Sequence, residues 1–205
     1  MPPSAPDIAA PFVIQQKNGL EQAHLIIATP LVSAVDELRY AADLLANIIG
    51  GGTSSRLWQK VREERGLAYS VGSSAISYQD CGLFSTFAAC SPSHVREVVS
   101  LTIEEMQDVV RNGVTDDELE LARQQSVSSI LLSLEDSAAR AAALAQSEIV
   151  HGRHISVEET LDRINAVTLD DIAALARSYF TTSRLAFAAL GDLKMLRLSR
   201  EDLTI

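Results

Sequence analysis

The chain has 205 residues, 47% of them hydrophobic, and a formal charge of -10 from 27 acidic against 17 basic side chains. That is ample apolar material for a sizeable core in one large domain or two small ones, and the acidic balance excludes a general nucleic-acid or anionic-membrane surface, which would repel it. No apolar run approaches the roughly 20 residues that span a bilayer, and the opening M-P-P-S-A-P-D has neither the charged nor the apolar region of a signal peptide, so no compartment is indicated.

In chain order, Pro2, Pro3, Pro6 and Pro11 mark residues 1–20 as an extended, poorly folded lead-in, and 21–205 as the folded domain. Gln22 to Thr29 (Q-A-H-L-I-I-A-T) reads as a buried strand ended by Pro30. The period then changes: Leu38, Ala41, Ala42, Leu45, Ile48 and Ile49 recur at helical spacing, which predicts an amphipathic helix over 36–49 stopped by Gly50 to Gly52. A short helix follows over 54–65. Residues 67–78 and 83–90 read as an antiparallel hairpin whose turn chemistry comes from Asp80 and Gly82 in Q-D-C-G.

Beyond Pro92 the pattern is helical over 93–111, 115–134, 136–150, 156–164 and 169–179, with capping signatures at Thr115/Glu118 and Ser156/Glu159 and a cap at Thr168. A last strand, R-L-A-F-A-A-L, covers 184–190. This order predicts an α+β fold, a mainly antiparallel sheet covered on one face by helices. The two cysteines, Cys81 and Cys90, fall at opposite ends of one strand, roughly 30 Å apart at about 3.3 Å per residue. That is far beyond disulfide reach, and both are expected as free core thiols.

Histidines are the first place to seek a metal. Glu148, His151 and His154 repeat at a spacing of three in E-I-V-H-G-R-H, but Gly152 breaks the segment where a helix should end, and histidines suit the last turn of a helix through its macrodipole. No metal site is therefore expected in this chain, and His24 and His94 read as structural. The sequence contains no H-x-x-E-H, H-E-x-x-H, G-x-S-x-G or G-x-x-x-x-G-K-[ST]. Gly50, Gly51 and Gly52 could cradle an anion ahead of a helix or simply stop the preceding one. Arg62 lies in the last turn of the short helix, Gly66 turns the chain, and Tyr69 opens a strand. That arrangement can bring guanidinium and phenol to one side of the junction, or can leave a surface arginine beside a half-buried tyrosine.

The run G-G-G-T-S-S-R-L-W-Q-K-V-R-E-E-R-G-L-A-Y-S-V, followed by Y-Q-D-C-G-L-F and closed by L-A-F-A-A-L-G-D, resembles the C-terminal half of the pitrilysin/insulinase superfamily, especially the branch similar to mitochondrial processing peptidase. The resemblance spans about Gln22 to Leu193, and its most specific element is R-x6-Y, met by Arg62 and Tyr69. It implies one half of a duplicated α+β clamshell enclosing a peptide-binding chamber. Zinc is then expected on the homologous half or partner subunit, which carries H-x-x-E-H, and no cofactor in this chain.

On that resemblance Arg62 and Tyr69 contact the substrate backbone near the scissile bond, with Gly50 to Gly52 as a shortened counterpart of a substrate-handling glycine segment. The partners implied are the zinc-bearing half, a peptide, and a second copy of this chain, with no nucleic acid. The isolated chain is expected to be inactive. Two further readings stay open: a catalytically inactive structural paralogue, and an interaction domain with no peptidase link.

Overall fold

The computed structural model describes residues 9–205; the lead-in prolines Pro2, Pro3 and Pro6 lie outside the described residues. Five strands form one sheet: β1 (Phe12–Gln16), β2 (Ala23–Leu31), β3 (Ala68–Ser77), β4 (Gly82–Cys90) and β5 (Ala186–Gly191), in the order β1-β5-β2-β4-β3. Every pairing is antiparallel except β1 with β5. Six helices, α1 (Arg39–Gly50), α2 (Val95–Asn112), α3 (Asp116–Ser133), α4 (Ser137–His151), α5 (Val157–Ala166) and α6 (Leu169–Tyr179), complete the α+β fold with a π-helical turn at Trp58–Glu63.

Alternation along the strands decides which face the helices cover. Leu25, Ile27 and Thr29 of β2, Phe84, Thr86 and Ala88 of β4 and Phe187 and Ala189 of β5 point to one side and are buried. Phe84 packs on Phe180, just past α6, with ring centroids 4.9 Å apart. The opposite face is open and carries Val13, Ile26, Ile76, Leu83, Phe87 and Leu190, all exposed. His24 lies on this open face, correcting its reading as a buried residue: β2 is covered on one side only.

The expected lead-in is also corrected where it is described. Phe12–Gln16 pairs in parallel with β5, Phe12 stacks on Phe187 at 5.1 Å, and Arg200 donates to the Ala10 carbonyl at 2.7 Å. Prolines dominate this stretch locally, but its partner strand lies some 175 residues away, so a reading by local propensity missed it. Pro30 does not end β2. The β2–β5 ladder stops at Ala28, so no β5 carbonyl needs a donor from Pro30, and β2 continues against β4 to Leu31.

The helix starts follow the capping signals. Thr115 and Glu118 exchange side-chain and backbone hydrogen bonds in a capping box, Thr168 and Asp171 do the same, and Ser156 accepts from the Glu159 N–H. Cys90 is buried and free, whereas Cys81, also free, sits half-buried in the hairpin turn and not in the core.

Candidate functional site

The segment from Gly50 to Tyr69 is built from inside outward. Gly50 is the buried last residue of α1, and a Cβ there would stand 2.4 Å from the Ser73 nitrogen. Only glycine lets α1 close against β3 this tightly, so packing accounts for this position. Gly51 and Gly52 follow without positive φ. The Gly52 carbonyl accepts from both the N–H and the hydroxyl of buried Ser55, at 3.0 and 2.6 Å, which fixes the start of the next helical turn.

Leu57 and Val61, four residues apart, are fully buried and anchor that turn in the core. Arg56 extends to the α2–α3 side, where it grips Glu118 with two hydrogen bonds of 2.6 and 2.9 Å, Asp108 at 2.7 Å and the Gly113 carbonyl at 3.3 Å. Glu105, only 2% exposed, lies 3.6 Å from Arg56 and also pairs with Lys60. Burial of Glu118 acts to raise its carboxyl, but the Arg56 hydrogen bond and the Thr115 backbone N–H outweigh this and hold it below the usual carboxylate range. The same contacts, led by the hydrogen bond to Glu118, push the Arg56 guanidinium up.

The outer side of the turn is different. The helix widens to i+5 spacing, with the Glu64 N–H on the Gln59 carbonyl at 2.9 Å, and such π-turns recur at functional sites. Trp58 donates its indole N–H to Glu63 at 3.0 Å and presents its ring to Arg62, whose guanidinium carbon lies 4.0 Å from the ring centroid. Gly66, at φ +61°, ends the turn with its N–H on the Arg62 carbonyl, and the Leu67 N–H reaches the Val61 carbonyl. This Schellman-like reversal needs a left-handed residue.

Tyr69 is then the extra residue of a β-bulge: Ala68 faces Cys90 and Ser70 faces Ala89, so Tyr69 has no partner on β4. The bulge turns its side chain outward, 84% exposed, with its ring 5.8 Å from the Arg62 guanidinium. The structure thus brings Arg62 and Tyr69 together and adds Trp58, which sequence reasoning passed over although it is the only tryptophan and stands four residues before Arg62. Ring faces hold Arg62; among the described residues its guanidinium has no ion pair and no side-chain hydrogen bond, so its N–H edge is free for a ligand.

Glu148, His151 and His154 do not converge: His151 ends α4, the chain turns at Gly152, and among the described residues no group of three His, Cys, Asp or Glu is placed to hold a metal. Glu148, His151 and His154 as placed therefore do not form a zinc site. Among the described residues no helix is long and apolar enough to cross a membrane.

The fold is an α+β domain whose mixed sheet is covered by helices on one face, with Arg62 and Tyr69 together at the end of its edge strand. Residues 1–126 match the family described as Peptidase M16 inactive domain. An uncharacterised zinc protease of Streptomyces coelicolor is 43% identical over 180 residues, covering 88% of this chain and 39% of that protein. Another, from Bacillus subtilis, is 34% identical over 168 residues, covering 82% and 41%.

Among solved structures, an M16 inactive domain from Pseudomonas fluorescens superposes with a TM-score of 0.76 at 21% identity over 92% of this chain and 45% of that one. A chain of complex III2 from Candida albicans gives 0.83 at 18% identity over 96% and 50%; both likenesses concern the fold. The chain belongs to the M16 peptidase family, as its inactive, C-terminal-type domain. It spans about two fifths of the length of the curated relatives it matches.

Proposed function

We propose that this domain is the substrate-clamping, zinc-free half of a zinc-dependent endopeptidase, acting across a chamber from a homologous zinc-bearing half. The observation that carries the reading is the Arg62 guanidinium, gripped by its faces and unpaired at its edge, beside an outward phenol. Guanidinium and phenol are both donors suited to peptide carbonyl oxygen. Held by ring faces before the substrate arrives, the guanidinium loses little freedom on binding it, and both groups can offset charge developing on the carbonyl. Among the described residues no group of three His, Cys, Asp or Glu is placed to hold a metal that would activate water, so the isolated domain should show no peptidase activity.

The test is turnover of a quenched peptide by the complete protein, with the zinc content and melting temperature of each variant measured alongside. Arg62→Lys and Tyr69→Phe should lose activity while keeping zinc and fold. Wild-type turnover in both variants would instead favour the structural-paralogue reading.

The open sheet face supports the partner half of the proposal. Exposed apolar patches of this continuity mark surfaces built to be covered, and the homologous half is the occupant the proposal assigns. Without it, the isolated chain should self-associate with rising concentration in light scattering, and Phe87→Lys at the centre of the face should suppress this. A strictly monomeric wild-type chain at high concentration would count against the assignment.

A further inference from the structure

Among the described residues α4 is the only one of the six helices that contributes no buried side chain. That is unusual for a helix of 15 residues, because helices of this length owe most of their stability to a packed face. Its inner side, with Ala143, Ser147 and Val150, borders an open groove against Tyr40 and Asp43 of α1. Its exposed side carries two adjacent rows, each spaced by four residues. One is Arg140, Leu144 and Glu148, and the other is Ala141, Ala145 and Ile149, with Leu144 50% and Ile149 75% exposed.

The charges of the first row run against the helix dipole. Arg140 is the fourth residue of α4, toward its positive end, and Glu148 is the fourth from the last, toward its negative end. Neither has an ion pair or a side-chain hydrogen bond among the described residues, whereas Arg153, just past the helix, is paired with Glu159 at 2.6 Å. Stability of α4 itself therefore accounts for neither charge. Each stands four residues from Leu144, one on either side. Ridges of residues four apart are the commonest to interdigitate when helices pack, crossing at about 50°. A two-fold axis beside Leu144 lays this ridge along its own copy in the opposite sense, so that Arg140 of each chain meets Glu148 of the other, twice. The neighbouring row begins with Ala141 and Ala145, whose small side chains leave a groove into which the copy's Leu144 fits.

We propose that the exposed side of α4 is a self-association surface, and that its occupant is a second copy of this chain paired antiparallel about Leu144. The charge pattern names the occupant: it is complementary to itself under a two-fold axis. The surface lies on the helix side of the molecule and shares no residue with the open sheet face assigned to the homologous half, so the two assignments are independent. One helix crossing buries less than the roughly 1,200 Å² of a stable interface, and the dimer should accordingly be weak, with a Kd on the order of 10 to 100 μM.

The test uses this 205-residue chain carrying Phe87→Lys, which removes association through the sheet face, in sedimentation equilibrium at low salt. This parent should form a dimer and nothing larger. Adding Arg140→Glu or Glu148→Arg should weaken dimerisation at least about tenfold, because each sets like charges against one another at both ends of the ridge. Both reversals suit the helix dipole, so neither should lower the melting temperature. An equal mixture of the two variants, each opposite in charge to the other, should recover the dimer. In a Cys81→Ser background, Leu144→Cys should cross-link into a dimer on mild oxidation. Ala138→Cys should not, since position 138 and its copy lie about 18 Å apart along the axis.

A parent that stays monomeric well above that Kd, charge variants that dimerise as well as the parent, a mixture no more dimeric than its components, or cross-linking of Ala138→Cys as ready as that of Leu144→Cys would each overturn the inference. Wild-type association that is unchanged by Phe87→Lys but lost in the charge variants would support it and count against the sheet-face assignment.

Discussion

Arg56 and Arg62 stand on the same short helical segment and meet opposite surroundings. Arg56 is 14% exposed and spends its donors on Glu118, Asp108 and the Gly113 carbonyl; Arg62 has only ring faces against it. A saturated guanidinium locks one element to another. An unsaturated one, held only by ring faces, keeps its donors available, which is what the proposed clamp requires. The inner flank therefore sets where the outer flank points, and the two should fail differently when altered.

The largest expected effect is on the outer flank. In the complete protein Tyr69→Phe removes one donor and keeps the ring. If that donor meets developing charge, kcat should fall on the order of 10²- to 10³-fold, about 3 to 4 kcal/mol, with the melting temperature unchanged. A rise in KM alone would show that the phenol positions the bound substrate only.

On the inner flank the order reverses. Arg56→Met leaves Glu105 buried with only Lys60 and should cost on the order of 3 kcal/mol of stability in denaturant titrations of this chain. A variant that melts like the wild type but loses turnover would erase the distinction between the flanks.

Acid should separate them as well. Glu118 is held low as described, and Asp108 is held low first by the Asn112 side chain and then by Arg56. Carboxylates depressed in the folded state contribute stability that is complete above their ordinary values, 4.5 and 3.8, and is lost as pH falls through the folded ones. The melting temperature should drop as pH is lowered from about 5 toward 3, and Arg56→Met should flatten that dependence. Equal slopes in the two proteins would show that other carboxylates govern it.

The smallest effect concerns the platform. Trp58→Ala uncovers one face of Arg62, a contact of about 0.5 to 1 kcal/mol at an exposed site, and should raise KM about two- to fivefold with kcat nearly kept. Trp58→Phe should recover part of this. A kcat loss as large as that of Tyr69→Phe would mean that Trp58 does more than hold the arginine.

How far these features could be read in advance follows the range of the interactions behind them. The helices after Pro92 were legible because periodicity and caps are local: Thr115 needs only Glu118, three residues on, to start α3. The hairpin of β3 and β4 was legible for the same reason, its turn lying between the strands that it joins. Arg62 and Tyr69 were legible as a pair because one turn and one left-handed glycine separate them. β1 was not, since its partner is at the other end of the chain and its local signal was proline. The bulge that turns Tyr69 outward was also hidden, because a bulge is a fact about register between two strands.

Determined by the sequence alone, then, were the succession of elements, the helix ends, the fold class and the pair of side chains most worth attention; each is set by neighbours within a few residues or by a run of residues distinctive enough to mark the family. Tertiary structure decided which arginine is spent and which is free, that the outer sheet face stays apolar and exposed, and that Tyr40, Asp43 and Asn47 line an open groove. Those outcomes depend on how closely α2, α3 and α4 approach the first half of the chain. Such distances arise from the balance of side-chain volumes across the whole core, which no short window of residues contains.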